Sequence, residues 1–281
     1  MKQKHTAAWV GFTAAALVAT AGCGAEATKE TAEQAAKAVG NVEQIKAVLS
    51  RAADRTEELG SAEVKMSTTM NGGAPIAMEG TYSWGDGYEY DVEMDTKAAQ
   101  MQTLTDAPTI RVLFVDGAYY YDVDPQPYGP LAGKEWMKVD GSAVFGEKGA
   151  DALSGSSGGS PSATMKGLKY ADDVENLGKQ TVNGQSTTHY RAVIDQANMG
   201  KLQEAYSDEG NLFNSLTGGG DSITMDVWVG AKDLPVRISQ EFGTMSVTMD
   251  FEKFGATADI AAPPAAQTGD LTEALKEANG Q

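Results

Sequence analysis

The sequence predicts an α+β protein built on a single antiparallel sheet of about ten or eleven strands, and three observations carry that prediction. Apolar and polar side chains alternate with a period of two through most of residues 61–254, the mark of half-buried antiparallel strands. Turn pairs such as Asp86-Gly87, Asp116-Gly117 and Asn183-Gly184 fall between these runs and favour tight connections. Helical periodicity is confined to a few stretches, chiefly 42–59 and 199–213, so there is no repeating strand-helix-strand rhythm.

The first element is an address label. Lys2, Lys4 and His5 precede an apolar run from Ala7 to Val18, which is followed by the small residues Ala19-Thr20-Ala21-Gly22. That order is the pattern of an export signal over residues 1–22, and the run is short for a hydrocarbon core that needs about 20 apolar residues. Residues 23–40, starting at Cys23, are small, polar and charged and read as a tether. A folded domain is expected over 41–268, with 269–281 as a tail or short helix.

Asn41 stands where a helix cap belongs, and Ile45, Val48, Leu49, Ala52, Thr56 and Leu59 then recur at helical spacing up to Gly60. The strands come next. Val64, Met66 and Met70 share one face; Ile76, Met78, Tyr82 and Trp84 share the next; Tyr88, Tyr90, Val92 and Met94 lie opposite the acidic row Glu89, Asp91, Glu93 and Asp95. Residues 110–115 and 118–123 form a hairpin about Asp116-Gly117, and Glu135–Val139 adds a short strand after a proline-containing loop. Residues 141–164 include a Gly/Ser-rich run and read as mobile, while 165–177 reads as short helix or irregular chain. Strands resume over 187–194, 223–229, 236–242 and 245–251, Pro263-Pro264 ends the pattern, and Asp270-Leu271-Thr272-Glu273 has the form of a capping box. One apolar face on so many strands requires a cover, which the helices at 42–59 and 199–213 are expected to provide.

Composition narrows the chemistry. The 281 residues hold 22 basic and 39 acidic side chains, a net charge of −17 that repels nucleic acid. One cysteine excludes an intrachain disulfide, and with only two histidines a zinc site of the Cys₄ or Cys₂His₂ type cannot be built. Gly155-Ser156-Ser157-Gly158-Gly159 satisfies G-x-S-x-G formally, without the preceding strand and following helix that a nucleophile elbow requires. His189, inside an expected strand, reads as a hydrogen-bonded structural histidine. Asp122-Val123-Asp124 and Asp172-Asp173 lack the ligand count of a calcium loop. No catalytic residue, metal or cofactor is expected, and the chain is expected to be a monomer.

Ala21-Gly22-Cys23-Gly24 is similar to the lipobox of bacterial lipoproteins. That resemblance implies diacylglycerol on the Cys23 thiol and a protein held at the outer face of the cell membrane. Further along, the helix leading into Ser61-Ala62-Glu63-Val64-Lys65-Met66, the stretch from Leu177-Gly178 to Thr188-His189-Tyr190, the Trp228 strand leading to Asp233-Leu234-Pro235-Val236-Arg237, and the ending from Phe254-Gly255 to Pro263-Pro264 resemble the LppX/LprG-type actinobacterial lipoproteins. Those share the fold of the lipoprotein carrier LolA. The resemblance implies a strongly curved, half-barrel sheet whose helix-roofed concave face holds acyl chains. Its members carry lipids or glycolipids, and others with the fold serve as sensors or regulatory partners.

Methionine suits a cavity that repacks around ligands of different length, though on a strand face it is ordinarily core. The residues expected to line a pocket are Val64, Met66, Met78, Tyr82, Trp84, Tyr90, Val112, Phe114, Met225, Val227, Ile238, Met245, Val247 and Met249. Trp84 also fits a purely structural place in the core, and Trp228, of opposite parity, one beneath a helix or loop. The function expected is non-catalytic binding of a lipid or other hydrophobic ligand between sheet and helices. The alternative is a surface sensing or interaction protein that uses the same fold with a filled core.

Overall fold

The computed structural model describes residues 27–279 apart from 86, 145, 147–159, 169, 170, 172, 196–221, 256 and 258, with side chains from residue 41 onward. The export signal, Cys23, the G-x-S-x-G run and the helix expected at 199–213 lie outside the described residues. Residues 1–40 and 41–281 form separate units, and every strand of the sheet belongs to the second.

Helix α1 spans Ala27–Leu59. It starts inside the stretch read as a tether, because that stretch is rich in Ala, Glu and Lys, which favour helix even without an apolar face. Eleven strands were the upper expectation, and the sheet has twelve: β1 (Ser61–Met70), β2 (Ile76–Ser83), β3 (Glu89–Asp95), β4 (Thr109–Val115), β5 (Ala118–Asp122), β6 (Trp136–Asp140), β7 (Asp173–Val182), β8 (Gln185–Asp195), β9 (Ser222–Val229), β10 (Pro235–Phe242), β11 (Met245–Phe254) and β12 (Thr268–Asp270). Helix α2 (Pro161–Gly167) lies between β6 and β7, and helix α3 (Thr272–Asn279) ends the described chain.

Two differences from expectation have a local cause. Pro161–Gly167 is helical although it sits at the end of the Gly/Ser-rich run, because Ser160 caps it: its hydroxyl accepts the N–H of Ser162 at 3.1 Å, and Pro161 occupies the first turn. The chain also does not leave the sheet at Pro263-Pro264. It returns as β12, parallel to β6, and Leu271 and Leu275 then pack on Val92, Val112 and their neighbours.

Strand order is β12-β6-β5-β4-β3-β2-β1-β11-β10-β9-β8-β7, antiparallel except at β12. The sheet is therefore two meanders, β1–β6 and β7–β11, joined along the β1–β11 pair, curved and unclosed. Asp116 and Gly117 both have positive φ, 53° and 75°, the conformation that a two-residue hairpin turn between β4 and β5 demands.

One face is mainly apolar, and the register shows it in the row through Met66. Met94, Met78, Met66 and Met249 lie side by side on β3, β2, β1 and β11, and Ile238, Val227 and Tyr190 extend the same row across β10, β9 and β8. The opposite face is charged: on β1 and β11, Lys65 stands beside Asp250, with Glu79, Glu93 and Arg111 in line on β2, β3 and β4. Buried side chains form two cores on the apolar face. The larger gathers Ile45, Leu49, Ala52 and Ala53 of α1 and Met165 of α2 against Val64, Trp84, Ile194, Val227 and Phe251. The second centres on Val92, Ile110, Val112, Met137 and Val139.

Candidate functional site

The candidate site is the part of the apolar face that neither core absorbs. Along β1 burial falls from Ser61 and Ala62, which are buried, to Met70, which is 49% exposed. Residues at the same level of the neighbouring strands are also half-buried: Met245 and Val247 on β11, bordered by Phe242 and Met249, which pack against the larger core, and by Ile76 and Met78, which pack against the second. The cause is the position of α1. It covers the end of the sheet where β1 begins, and Trp84 pins it there by donating its indole N–H to the Thr56 carbonyl at 3.0 Å.

On the other side of this strip lies an aromatic wall. Tyr82, Tyr88, Tyr90, Phe114, Tyr119 and Tyr121 are linked in a chain of ring contacts with centroids 4.7–6.3 Å apart. Tyr88, Tyr90, Tyr119 and Tyr121 each keep part of their surface open. Burial nevertheless raises the pKa of all four phenols, that of Tyr88 and that of Tyr121 to about 12, and it raises Tyr82 well above the ordinary value. The hydroxyls of Tyr82 and Tyr88 bond to each other, as do those of Tyr90 and Tyr119. The lining is polar in small measure and carries no charge among the described inner-face residues.

The residues expected to line a pocket all stand on this face, in two groups. Val64, Tyr82, Trp84, Val112, Phe114, Met225, Val227 and Ile238 are buried. Met66, Met78, Tyr90, Met245, Val247 and Met249 are half-buried along the strip and the aromatic wall. Trp84 is 1% exposed and anchors α1. Tyr88, which parity puts on the apolar face, and Tyr119 and Tyr121 stand outside the residues expected to line a pocket, and the run Tyr119-Tyr120-Tyr121 with Tyr88 and Tyr90 is the sequence signal for them.

Trp228 lies on the opposite face and is half-buried. Its ring stacks on His189 at 4.1 Å and 12°, Arg237 lies 5.9 Å from its centroid, and its N–H donates to Gln180 Oε1 at 2.8 Å. His189 Nε2 lies 2.5 Å from Asp226 Oδ1, and Arg191 grips the same carboxylate through two bonds of 2.9 and 3.1 Å. Among the described residues no serine or cysteine nucleophile bonds to His189, so the group reads as a structural network. No cluster of three or more metal-ligating side chains occurs among the described residues, Asp122 and Asp124 included.

Against solved structures, the sheet matches Mycobacterium tuberculosis lipoprotein LppX with a TM-score of 0.51 and 14% identity, covering 78% of this chain and 99% of that one. The chain has the LppX-type fold. At the level of sequence, it is 25% identical over 231 residues to "Putative lipoprotein SCO4650" of Streptomyces coelicolor, covering 78% of this chain and 73% of that protein. It is also 24% identical over 251 residues to an uncharacterized 31.2 kDa protein of Streptomyces griseus, covering 82% and 80%. No protein-family model matches. The described helices α1, α2 and α3 contribute to the cores of the apolar face, and the strip beside the aromatic wall is the part of that face that stays half-buried. Among the described residues no helix is long and apolar enough to cross a membrane.

Proposed function

We propose that this chain is a lipoprotein, held at the outer face of the cell membrane by diacylglycerol on Cys23, that binds a lipid or similar hydrophobic ligand on the inner face of its sheet without catalysing a reaction. The observation that carries the reading is the strip Met66, Met70, Met245 and Val247, an apolar surface continuous with two cores and packed into neither. A folded protein has no thermodynamic reason to leave such a strip open, since burying it is worth about 25 cal/mol per Å². A ligand that comes and goes supplies the reason.

The aromatic wall and the LppX-type fold support the same reading, as does the likeness to a protein described as a lipoprotein. Binding by burial exchanges apolar contact with a membrane for apolar contact with the protein. Equilibrium therefore favours neither side strongly, and the shape of the hollow sets selectivity.

Native mass spectrometry of the full chain purified from its own membrane tests the proposal. The expected spectrum contains the acylated chain and a second species heavier by the mass of one lipid, which collisional activation removes. A single species with no dissociable mass, in both mild detergent and detergent-free nanodiscs, overturns ligand binding and favours the interaction reading.

A further inference from the structure

We propose that the paired tips of the β1–β2 and β10–β11 hairpins are the surface through which this protein contacts a lipid bilayer. The inference rests on the reading that the inner face receives lipid, and it adds where the lipid crosses.

Charge distinguishes the tips from the rest of the body. Residues 66–78 and 242–249, the two hairpin tips with their flanking strand ends, contain no Asp, Glu, Lys or Arg in a chain that is 22% charged. These segments also hold five of the 12 methionines, at 66, 70, 78, 245 and 249. The first charges met on the way back into the sheet are Lys65, Glu79, Glu241 and Asp250; Lys65 lies 3.6 Å from Glu79, and Asp250 is gripped by Arg237 at 2.6 and 2.8 Å. A body of net charge −17 is repelled by anionic headgroups almost everywhere, whereas these tips are not.

Geometry makes the two tips one surface. The Asn71 N–H donates to the Thr244 carbonyl at 2.9 Å, and the Thr244 hydroxyl donates to Asn71 Oδ1 at 2.8 Å, so the turns are clamped to each other. Met70 and Met245 are cross-strand neighbours just inside that clamp. The open apolar surface then runs inward through Val247, Met66 and Met249. An acyl chain leaving a bilayer beneath the tips would meet Met70, Met245, Val247 and Met249 in succession, with Thr68 and Gln240 the polar side chains flanking Val247. Unbranched methionine is suited to that boundary because it adapts to a fluid partner.

The test uses the full chain carrying M70C, labelled with an environment-sensitive fluorophore. The unsubstituted chain is labelled in parallel to account for Cys23, and K253C serves as a control on the charged face. Each is mixed with vesicles of phosphatidylcholine, with and without phosphatidylglycerol. The expected result is a blue shift, with quenching by bilayer-embedded nitroxide lipid, at position 70 and not at 253. Adding M245E should lower the inserted fraction by about tenfold, the order expected from losing one buried methionine. A label at position 70 that stays in water with both vesicle types overturns the proposal, even if the protein takes up a fluorescent fatty acid from them, in which case lipid binding stands. Insertion at 70 without such uptake supports the contact and removes the carrier reading. Shielding that depends on protein concentration and occurs equally without vesicles overturns the proposal in favour of self-association.

Discussion

Trp84 donates its indole N–H to the Thr56 carbonyl across 3.0 Å, and through that bond the end of β2 holds the last turns of α1 on the sheet. Both residues are almost fully buried, and the Thr56 hydroxyl is itself spent on the Ala52 carbonyl at 2.7 Å. Replacing Trp84 with Phe removes the donor and leaves a void, so stability should fall by about 2–4 kcal/mol, read from the urea midpoint.

Gly80 of β2 is paired with Val92 of β3 and leaves no room for a side chain. A Cβ added there would lie 2.1 Å from the Asp91 carbonyl oxygen and 2.8 Å from the Val92 Cα, both backbone atoms that cannot swing aside. Gly80→Ala should therefore separate β2 from β3 and cost more than about 3 kcal/mol, with loss of near-ultraviolet circular dichroism from the aromatic wall.

The aromatic wall predicts a steep alkaline limit. Burial raises the folded-state pKa of these phenols, to about 12 for Tyr88 and for Tyr121. A raised pKa means that the stabilisation is complete below the unfolded value near 10 and is lost as pH rises from there toward 12. Each such tyrosine should contribute a slope of about 1.4 kcal/mol per pH unit in that window. Chemical denaturation between pH 9 and 12 should show the fall, and Tyr121→Phe should make it shallower.

Asp226 is the acceptor on which His189 and Arg191 both depend. Its side chain is 9% exposed, whereas that of Arg191 is 46% exposed. Asp226→Ala should therefore cost about 3 kcal/mol, because a buried histidine loses its partner, and Arg191→Ala should cost under about 1 kcal/mol. Uptake of a fluorescent fatty acid on the other face should be unchanged in both when measured below the unfolding transition.

Val247 faces the strip from β11 with Thr68 and Gln240 beside it. Val247→Trp should fill the strip and lower uptake of a fluorescent fatty acid by about tenfold or more while leaving the urea midpoint within about 1 kcal/mol, because little must be displaced.

Much of the sheet was legible because its strands obey one rule. On β1–β3 and again on β9–β11 the inner residues are mostly apolar and the outer ones polar or charged, so parity places Met66, Met78, Val227 and Met249 correctly, whereas on β4 the outward Leu113 and Val115 are buried in a small cluster with Ala118 and Tyr120. β7 was not legible, since among its described side chains only Val174 and Val182 are buried and the register shifts between Asn176 and Gly178. β12 is too short for periodicity and owes its existence to pairing with β6. Asp226 escaped notice because an acid inside a strand reads as solvated, and the residues that bury it arrive from 35 and 37 positions away. The separation of the strip from the cores depends on where α1 stops covering the sheet, a tertiary fact with no local signature.

The β1–β11 seam bears on how this molecule assembles. Each meander grows by neighbouring hairpins, whereas the seam must bring together partners as distant as Lys65 and Glu252, 187 positions apart. Closing so large a loop is entropically slow. The rate-limiting event in refolding should be the docking of two preformed halves, and substitutions confined to that junction should retard it most.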